Sequence, residues 1–367
     1  MIPAEIFRLT RELVDVDSVT GGEAAIGELL ERRLGDLAAR AGGTVERMPV
    51  GAGAGGDRFN LFAAWGAPRV VLSTHMDTVP PFIPSSEDSE HIHGRGACDA
   101  KGAIAAMLAA AARLLDGGVR GFGVLLVVGE ETDSAGAEAA NRQPRGSRYL
   151  IDGEPTENRL AVASKGALYL AIEADGRAAH SAYPELGDSA IDRLLAALDR
   201  LRRVPLPTSP EVGETTLNIG TLAGGRAANV IADQARAEVM LRTVGETAGL
   251  RRALAEALAP ARVAELREVP AMRLRALPGF ATTVVKFTTD IPRLGAWGEP
   301  LLLGPGSIHV AHTPEERVAK QELVDAAQLY AELVRRLLAE AAEAPADDAR
   351  DAGAAPERRQ GQAGGRA

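Results

Sequence analysis

A single cysteine, Cys98, in 367 residues excludes an internal disulfide and any cysteine-built structural zinc site. Aromatic side chains are scarce, with 2 Trp, 4 Tyr and 7 Phe, so there are few platforms on which bases of a single-stranded nucleic acid could stack. Positive charge is in deficit: 41 Lys and Arg stand against 50 Asp and Glu, a net charge of −9. That balance argues against a phosphate backbone or an anionic membrane as the partner, because both need a concentrated positive field. No uncharged apolar run approaches the ~20 residues that cross a bilayer, and the opening MIPAEIFRLTRELVD mixes charge into its apolar positions. The expectation is a cytoplasmic protein with neither a nucleic-acid nor a membrane partner, acting on a small or zwitterionic ligand. The G-x-S-x-G elbow, H-E-x-x-H and the Gly-Lys of a P-loop are also missing, which removes support from serine-hydrolase, zincin and P-loop readings.

Hydrophobic residues make up 46 % of the chain, enough for a packed core, and the length suggests about two domains. Ile6, Leu9 and Leu13 lie at helical spacing, and a second helix follows Thr20, which with Glu23 matches the T-G-G-E capping box. The short apolar runs NLFAAW, VVLST, GVLLVV and YLI read as buried strands, with the Ala-rich helix AKGAIAAMLAAAARLL between the second and third. This alternation predicts an α/β sheet covered on both faces. Between about Ser164 and Arg275 the order changes to strand, helix, strand, strand, helix, the pattern of a small α+β insert. The α/β pattern resumes with FATTVVKFTTD, EPLLLGPG and a helix from Lys320. The expected organisation is a discontinuous domain of residues 1–163 and 276–342, an insert of residues 164–275, and a disordered tail of residues 343–367, which has no Val, Ile, Leu or aromatic residue to bury.

Acidic and imidazole side chains fall where the predicted strands end. His75 and Asp77 follow VVLST, Glu130 and Glu131 follow GVLLVVG, Asp152 and Glu154 follow YLI, and His312 comes shortly after EPLLLGPG. Asp99 sits in the loop GRGACDAKG that opens the Ala-rich helix. Open α/β sheets bind ligands outside the carboxyl ends of their strands, so these loops would deliver their side chains into one crevice. So many carboxylates repel one another unless cations neutralise them. Imidazole and carboxylate without thiolate suit zinc, cobalt or manganese, and a carboxylate shared by two ions ~3.5–4 Å apart is the usual two-metal layout for hydrolysis.

The ordered series STHMDTVP, GRGACDAKG, VVGEETDSAGA, DGEPT, GRAAHSAYP, ANVI and LGPGSIHVAHTPEE resembles the di-zinc amidohydrolases and exopeptidases that include acetylornithine deacetylase, succinyl-diaminopimelate desuccinylase, aminoacylase and carboxypeptidase G. The resemblance covers about nine-tenths of the chain. It implies a mixed-sheet, zinc-exopeptidase-like catalytic domain of the α/β class, with an inserted α+β, ferredoxin-like domain serving as dimerisation surface and lid. It implies two divalent ions, zinc before cobalt or manganese, with His75 and Glu154 on one, Glu131 and His312 on the other, and Asp99 bridging. Asp77 matches the carboxylate that orients the His75 imidazole, and Glu130 the general base that takes a proton from the attacking water. His180 matches a histidine that a dimer partner brings to the tetrahedral oxyanion. Asn229 and Arg242 match insert residues that hold the substrate's carboxylate or backbone. The activity implied is hydrolysis of an N-acyl amino acid, as in arginine or lysine biosynthesis, by a homodimer; the alternative is a dipeptidase or a glutamate-releasing carboxypeptidase acting on a small peptide. A catalytically silent, dimeric metal-binding protein is the reading from another class, and retention of Glu130 beside every ligand argues against it.

Several residues have plainer readings. Asp152 competes with Glu154 for the metal, and His309 with His312; the G-E-P and A-H-x-P-x-E patterns favour Glu154 and His312. Asp99 has a second reading as the cap of the helix that follows. His91 and His93 alternate to one side of a strand and read as surface histidines, Cys98 as a small buried thiol, and Lys165 as structural.

Overall fold

Along the strand Gly56–Trp65, apolar side chains alternate between two cores. Leu61, Ala63 and Trp65 enter one, and Phe62 and Ala64 the other. That is the signature of a strand covered on both faces. In the computed structural model, which describes residues 1–53 and 56–343, this strand belongs to a six-stranded sheet ordered Thr44–Gly53, Gly56–Trp65, Phe122–Val127, Val70–His75, Tyr149–Asp152 and Glu299–Leu302. The first three pair antiparallel and the last four run parallel, giving a mixed sheet. The expected tail, apart from Glu343 itself, lies outside the described residues.

Helices Pro3–Val14, Ala24–Ala41, Lys101–Asp116 and Lys320–Glu343 share the larger core, while Ala135–Asn141 and Trp297 cover the opposite face. The Ala-rich helix Lys101–Asp116 is buried along nearly its whole length. Its small side chains let it pack closely between the sheet and Lys320–Glu343, where a bulkier helix would hold the two layers apart.

Residues 166–269 form a separate four-stranded antiparallel sheet ordered Thr216–Gly224, Gln234–Thr243, Gly166–Asp175 and Arg262–Val269. Helices Ala190–Leu201 and Ala248–Leu258 cover one face and build a core of their own with Leu168, Ile172, Leu194, Leu241 and Leu254. Chain order strand, helix, strand, strand, helix, strand is that of the ferredoxin-like unit.

Two local expectations fail. No capping box forms at Thr20: the helix begins at Ala24 with Glu23 before it and no side-chain cap. Thr20 instead donates to the Asp77 carboxylate, and Glu23 pairs with Arg58. Both side chains found charged or charge-accepting partners far along the chain, which bind more strongly than a backbone cap. The run FATTVVKFTTD does not join the main sheet. Its strand Thr282–Val285 pairs with Leu160–Ser164, which also pairs with Met272–Arg273, in a small third sheet between the other two.

Candidate metal centre

The four parallel strands send their carboxyl ends to one edge of the sheet. From Val70–His75 the chain passes to a neighbour on one side, Phe122–Val127, and then to one on the other, Tyr149–Asp152, so that edge is a topological switch point, the crevice where ligands bind in such sheets. His75 is the last residue of its strand, and Glu130, Glu131 and Glu154 lie in the loops beyond the adjacent two.

Asp77 organises this edge. One of its oxygens accepts the backbone N–H groups of Gly129 and Glu130 at 2.9 and 3.1 Å; the other accepts the Thr20 hydroxyl at 2.7 Å and the Glu131 N–H at 3.2 Å. His75 Nδ1 is 3.0 Å from the Asp77 carbonyl and 3.5 Å from its carboxylate. A carbonyl only accepts, so Nδ1 carries a proton, and in the neutral ring Nε2 presents its lone pair to the crevice.

There Nε2 faces Asp99 Oδ1 at 3.1 Å and Glu154 Oε1 at 3.9 Å. On the other side of Asp99, His312 Nε2 lies 3.2 Å from Oδ2 and 3.1 Å from Glu131. Asp99 therefore gives one oxygen to each imidazole, the geometry of a shared ligand. It does not cap the helix, whose N-terminal neighbour is Ala100 without a side-chain bond. His312 has a left-handed backbone with φ of 64°, a strained state for a residue other than glycine and one that concentrates at functional sites.

The two cations within these motifs do not offset this charge. Arg95 is buried against Glu316, and Lys101 donates to the Val16 carbonyl at 2.7 Å. Glu316 accepts the N–H groups of Gly96 at 2.9 Å and Asp99 at 3.3 Å, so this ion pair props the loop that carries Asp99. Without a neutralising ion the protonation states are distorted. Burial, with the charges of Asp290, Glu131 and Asp99, pushes Glu130 well above the carboxylate range. Burial, with Asp99, Glu130 and Asp152, does the same to Glu154. Hydrogen bonds to Asp99 and Glu131 raise His312 to about 10. Burial opposes the His75 imidazolium, but Asp77, Asp99 and Glu154 outweigh it and raise its pKa. The donor set of imidazole nitrogens and carboxylate oxygens, held about 3 Å apart, fits divalent cations of the zinc class.

Asp99, Glu130, Glu131, Glu154 and His312 line a cavity of about 200 Å³ together with Tyr169, Arg242 and Arg267. A larger space of about 490 Å³ adjoins it, sharing Arg242, Phe287 and Ile308 and reaching His309 and Lys286. Arg242 Nη1 is buried without a hydrogen-bond partner. His309 is thus beside the cavity, while His312 meets Asp99. Asp152 is buried behind Glu154, with one oxygen unpartnered, and is raised by burial and by Asp290 to about 7. His180 and Asn229 lie elsewhere: both are exposed, joined through the His180–Val230 bridge and the Ser181 N–H to Asn229 carbonyl bond of 3.0 Å, and neither lines the cavity of its own chain. Of the two insert residues expected at the substrate, Arg242 is among the residues lining this cavity and Asn229 is not.

Sequence reasoning missed Asp290 and Arg267. Asp290 is buried near Asp77 and Asp152 with no hydrogen bond of ordinary geometry, although Ser134 is close, and burial raises it to about 6. Like the other acids it follows a strand-like run, TTVVKFTTD, and that was the available signal. Arg267 donates to the Thr132 carbonyl at 2.9 Å, beside the Glu131 loop.

Residues 71–336 match the model of peptidase family M20/M25/M40, and a peptidase M20 domain-containing protein of Schizosaccharomyces pombe is 38 % identical over 348 residues, 91 % of this chain and 86 % of that one. The chain belongs to peptidase family M20/M25/M40. A probable carboxypeptidase of Aspergillus terreus is also 38 % identical, over 88 % of this chain and 84 % of its own. Among solved structures, a tripeptidase of Staphylococcus aureus superposes with a TM-score of 0.78 at 21 % identity, covering 92 % of this chain and 99 % of that one. A dinuclear metal-binding M20 peptidase of Bacillus subtilis gives 0.67 at 15 %, covering 92 % and 98 %. These two likenesses are of fold. Membership of M20 makes the chain a hydrolase of a metallopeptidase family. Among the described residues no helix is long and apolar enough to cross a membrane.

Proposed function

We propose that this M20 protein releases a C-terminal amino acid from a small peptide or an N-acyl amino acid, using two divalent ions, zinc in the first instance. His75 and Glu154 would hold one ion and Glu131 and His312 the other, with Asp99 available to both. The observation that carries this reading is Asp99 placed between His75 and His312, one oxygen toward each, while Arg95 and Lys101, the cations nearest it in sequence, are engaged by Glu316 and the Val16 carbonyl.

When bound, the ions supply Lewis acidity toward the scissile carbonyl and lower the pKa of the attacking water. Glu130 lines the cavity without a ligand's contacts and is free to take the water's proton and return it to the leaving amine. Asp77 fixes the His75 tautomer and, through the N–H groups of Gly129, Glu130 and Glu131, the position of both glutamates. Arg242, with its buried and unpartnered Nη1, is the group suited to a substrate carboxylate. That requirement is shared by carboxypeptidase substrates and by N-acyl amino acids such as acetylornithine, and the names of the curated relatives favour the peptide.

His180 and Asn229 serve this chemistry only if a second copy of the chain brings them to the cavity, which makes the insert the dimerisation surface and the enzyme a homodimer. Two tests apply. A panel of dipeptides, N-acetyl amino acids and their C-terminal amides should show turnover confined to substrates with a free carboxylate; equal turnover of the amides contradicts the reading. Mixing inactive His180→Ala and Glu130→Gln proteins should restore activity, because one site of the mixed dimer then has both residues; no recovery in a verified mixed dimer assigns His180 another role.

A further inference from the structure

Away from the cavity, a second set of metal-type donors is assembled on a ribbon of Ser86–Glu87, His91–His93 and Arg317–Ala319. Ile92 is buried, so the two-residue repeat of the strand puts His91 and His93 together on its outer face, with ring centroids 5.9 Å apart. Asp88 returns over them from the hairpin turn. Its Oδ1 accepts the N–H groups of Glu90 and His91, each at 2.7 Å, which fixes the carboxylate as an Asx-type turn does. Its Oδ2 lies 2.9 Å from His93 Nε2, and Oδ1 lies 3.7 Å from His91 Nδ1. One donor atom from each of the three residues falls within 4.8 Å of the others.

Two imidazoles and a carboxylate form a donor set for zinc, nickel or copper rather than for calcium or magnesium. A tetrahedral ion with bonds of ~2 Å separates its donors by about 3.3 Å, and the two carboxylate–imidazole distances bracket that value. The neighbouring cations are turned away. Lys320 donates to the Asp88 carbonyl at 2.6 Å and pairs with Glu87 at 2.9 Å; Arg317, across the ribbon from His93, donates to the Glu315 carbonyl at 3.2 Å. All three donors are partly exposed, so an ion reaches them without unfolding the hairpin.

We propose that Asp88, His91 and His93 form a further metal site, taking a zinc-class transition ion with a position left open to water, independent of the pair in the cavity. The donors come from one hairpin, and none is a cavity residue, so filling the site leaves the catalytic side chains in place.

The test uses the full chain with its cavity pair filled. Equilibrium dialysis against micromolar zinc, with bound metal counted, is run on the wild type, on His91→Ala/His93→Ala, and on Asp88→Asn. The last keeps an acceptor for the turn N–H groups and replaces Oδ2 by a donor. The expected result is about three ions per wild-type chain, one fewer in each variant, and unchanged peptidase activity. An equal count in wild type and variants overturns the proposal. Should a variant fail to fold, copper(II) added to the zinc-loaded wild type should give an electron paramagnetic resonance spectrum with splitting from two imidazole nitrogens, and a spectrum without nitrogen splitting overturns it.

Discussion

The Thr20 hydroxyl donates to the Asp77 carboxylate at 2.7 Å across 57 residues of chain, and with it Asp77 accepts four hydrogen bonds, the other three from the backbone of Gly129, Glu130 and Glu131. Burial alone would raise the Asp77 pKa, but the His75 imidazole first, and then Thr20 and the backbone N–H groups, lower it and keep the carboxylate ionised. Replacing it with Asn keeps the shape but turns an amide NH₂ toward backbone N–H groups. Asp77→Asn should therefore weaken metal binding or activity by about 10–100-fold, read as zinc retained after dialysis against a chelator. Thr20→Val, which removes one donor of the four, should have a smaller effect in the same direction.

Glu130 and Glu131 are adjacent in sequence but differ in partner: Glu131 reaches His312, and Glu130 points into the cavity without a histidine contact. Glu130→Gln should lower kcat by roughly 10²–10⁴-fold while metal content stays the same. Glu131→Gln should lose metal as well. Metal analysis beside turnover separates the two, and loss of metal in Glu130→Gln would reassign that residue as a ligand.

Arg242 is assigned to the substrate carboxylate. Arg242→Ala should raise KM for dipeptides and N-acyl amino acids, and Arg242→Lys should recover only part of the loss because it lacks the two-pronged geometry. An unchanged KM in the alanine variant would point to Arg267, across the same cavity.

Stability should depend on pH in opposite senses with and without metal. In the metal-free chain burial raises Asp152 to about 7 and Asp290 to about 6, against ordinary values near 3.8. These groups bind protons more readily folded than unfolded. Their contribution to stability is greatest below about pH 4 and is lost as pH rises through about 4 to 7, a loss of several kcal/mol at most. His75, also raised, adds to the fall at higher pH. Metal needs deprotonated ligands, so the loaded protein should gain stability over the same range. Unfolding midpoints of both forms from pH 4 to 8 check this.

The candidate ligands His75, Glu131 and Glu154 were legible in the sequence because each stands at or just past the end of an apolar strand, and the parallel sheet brings those ends to one edge. Asp99 and His312 were legible through their flanking motifs. What could not be read were partnerships decided by three-dimensional proximity. Thr20 and Glu23 fit a local capping pattern, yet Asp77 and Arg58, far along the chain, took them. Asp290 also follows a strand-like run, but Thr282–Val285 pairs outside the main sheet with Leu160–Ser164, so its approach to Asp77 and Asp152 is seen only in the fold. The strand Thr44–Gly53 was missed altogether. It is an edge strand with Pro49 and a register shift after it, features that weaken the alternating pattern on which a strand is recognised.

Anomalous diffraction from zinc-loaded crystals tests the central claim most directly. Two peaks are expected, one among His75, Asp99 and Glu154, the other among Asp99, Glu131 and His312, with Asp99 touching both. An active enzyme whose crystals hold a single ion there, or two ions with Asp99 bound to only one, contradicts the shared-ligand account.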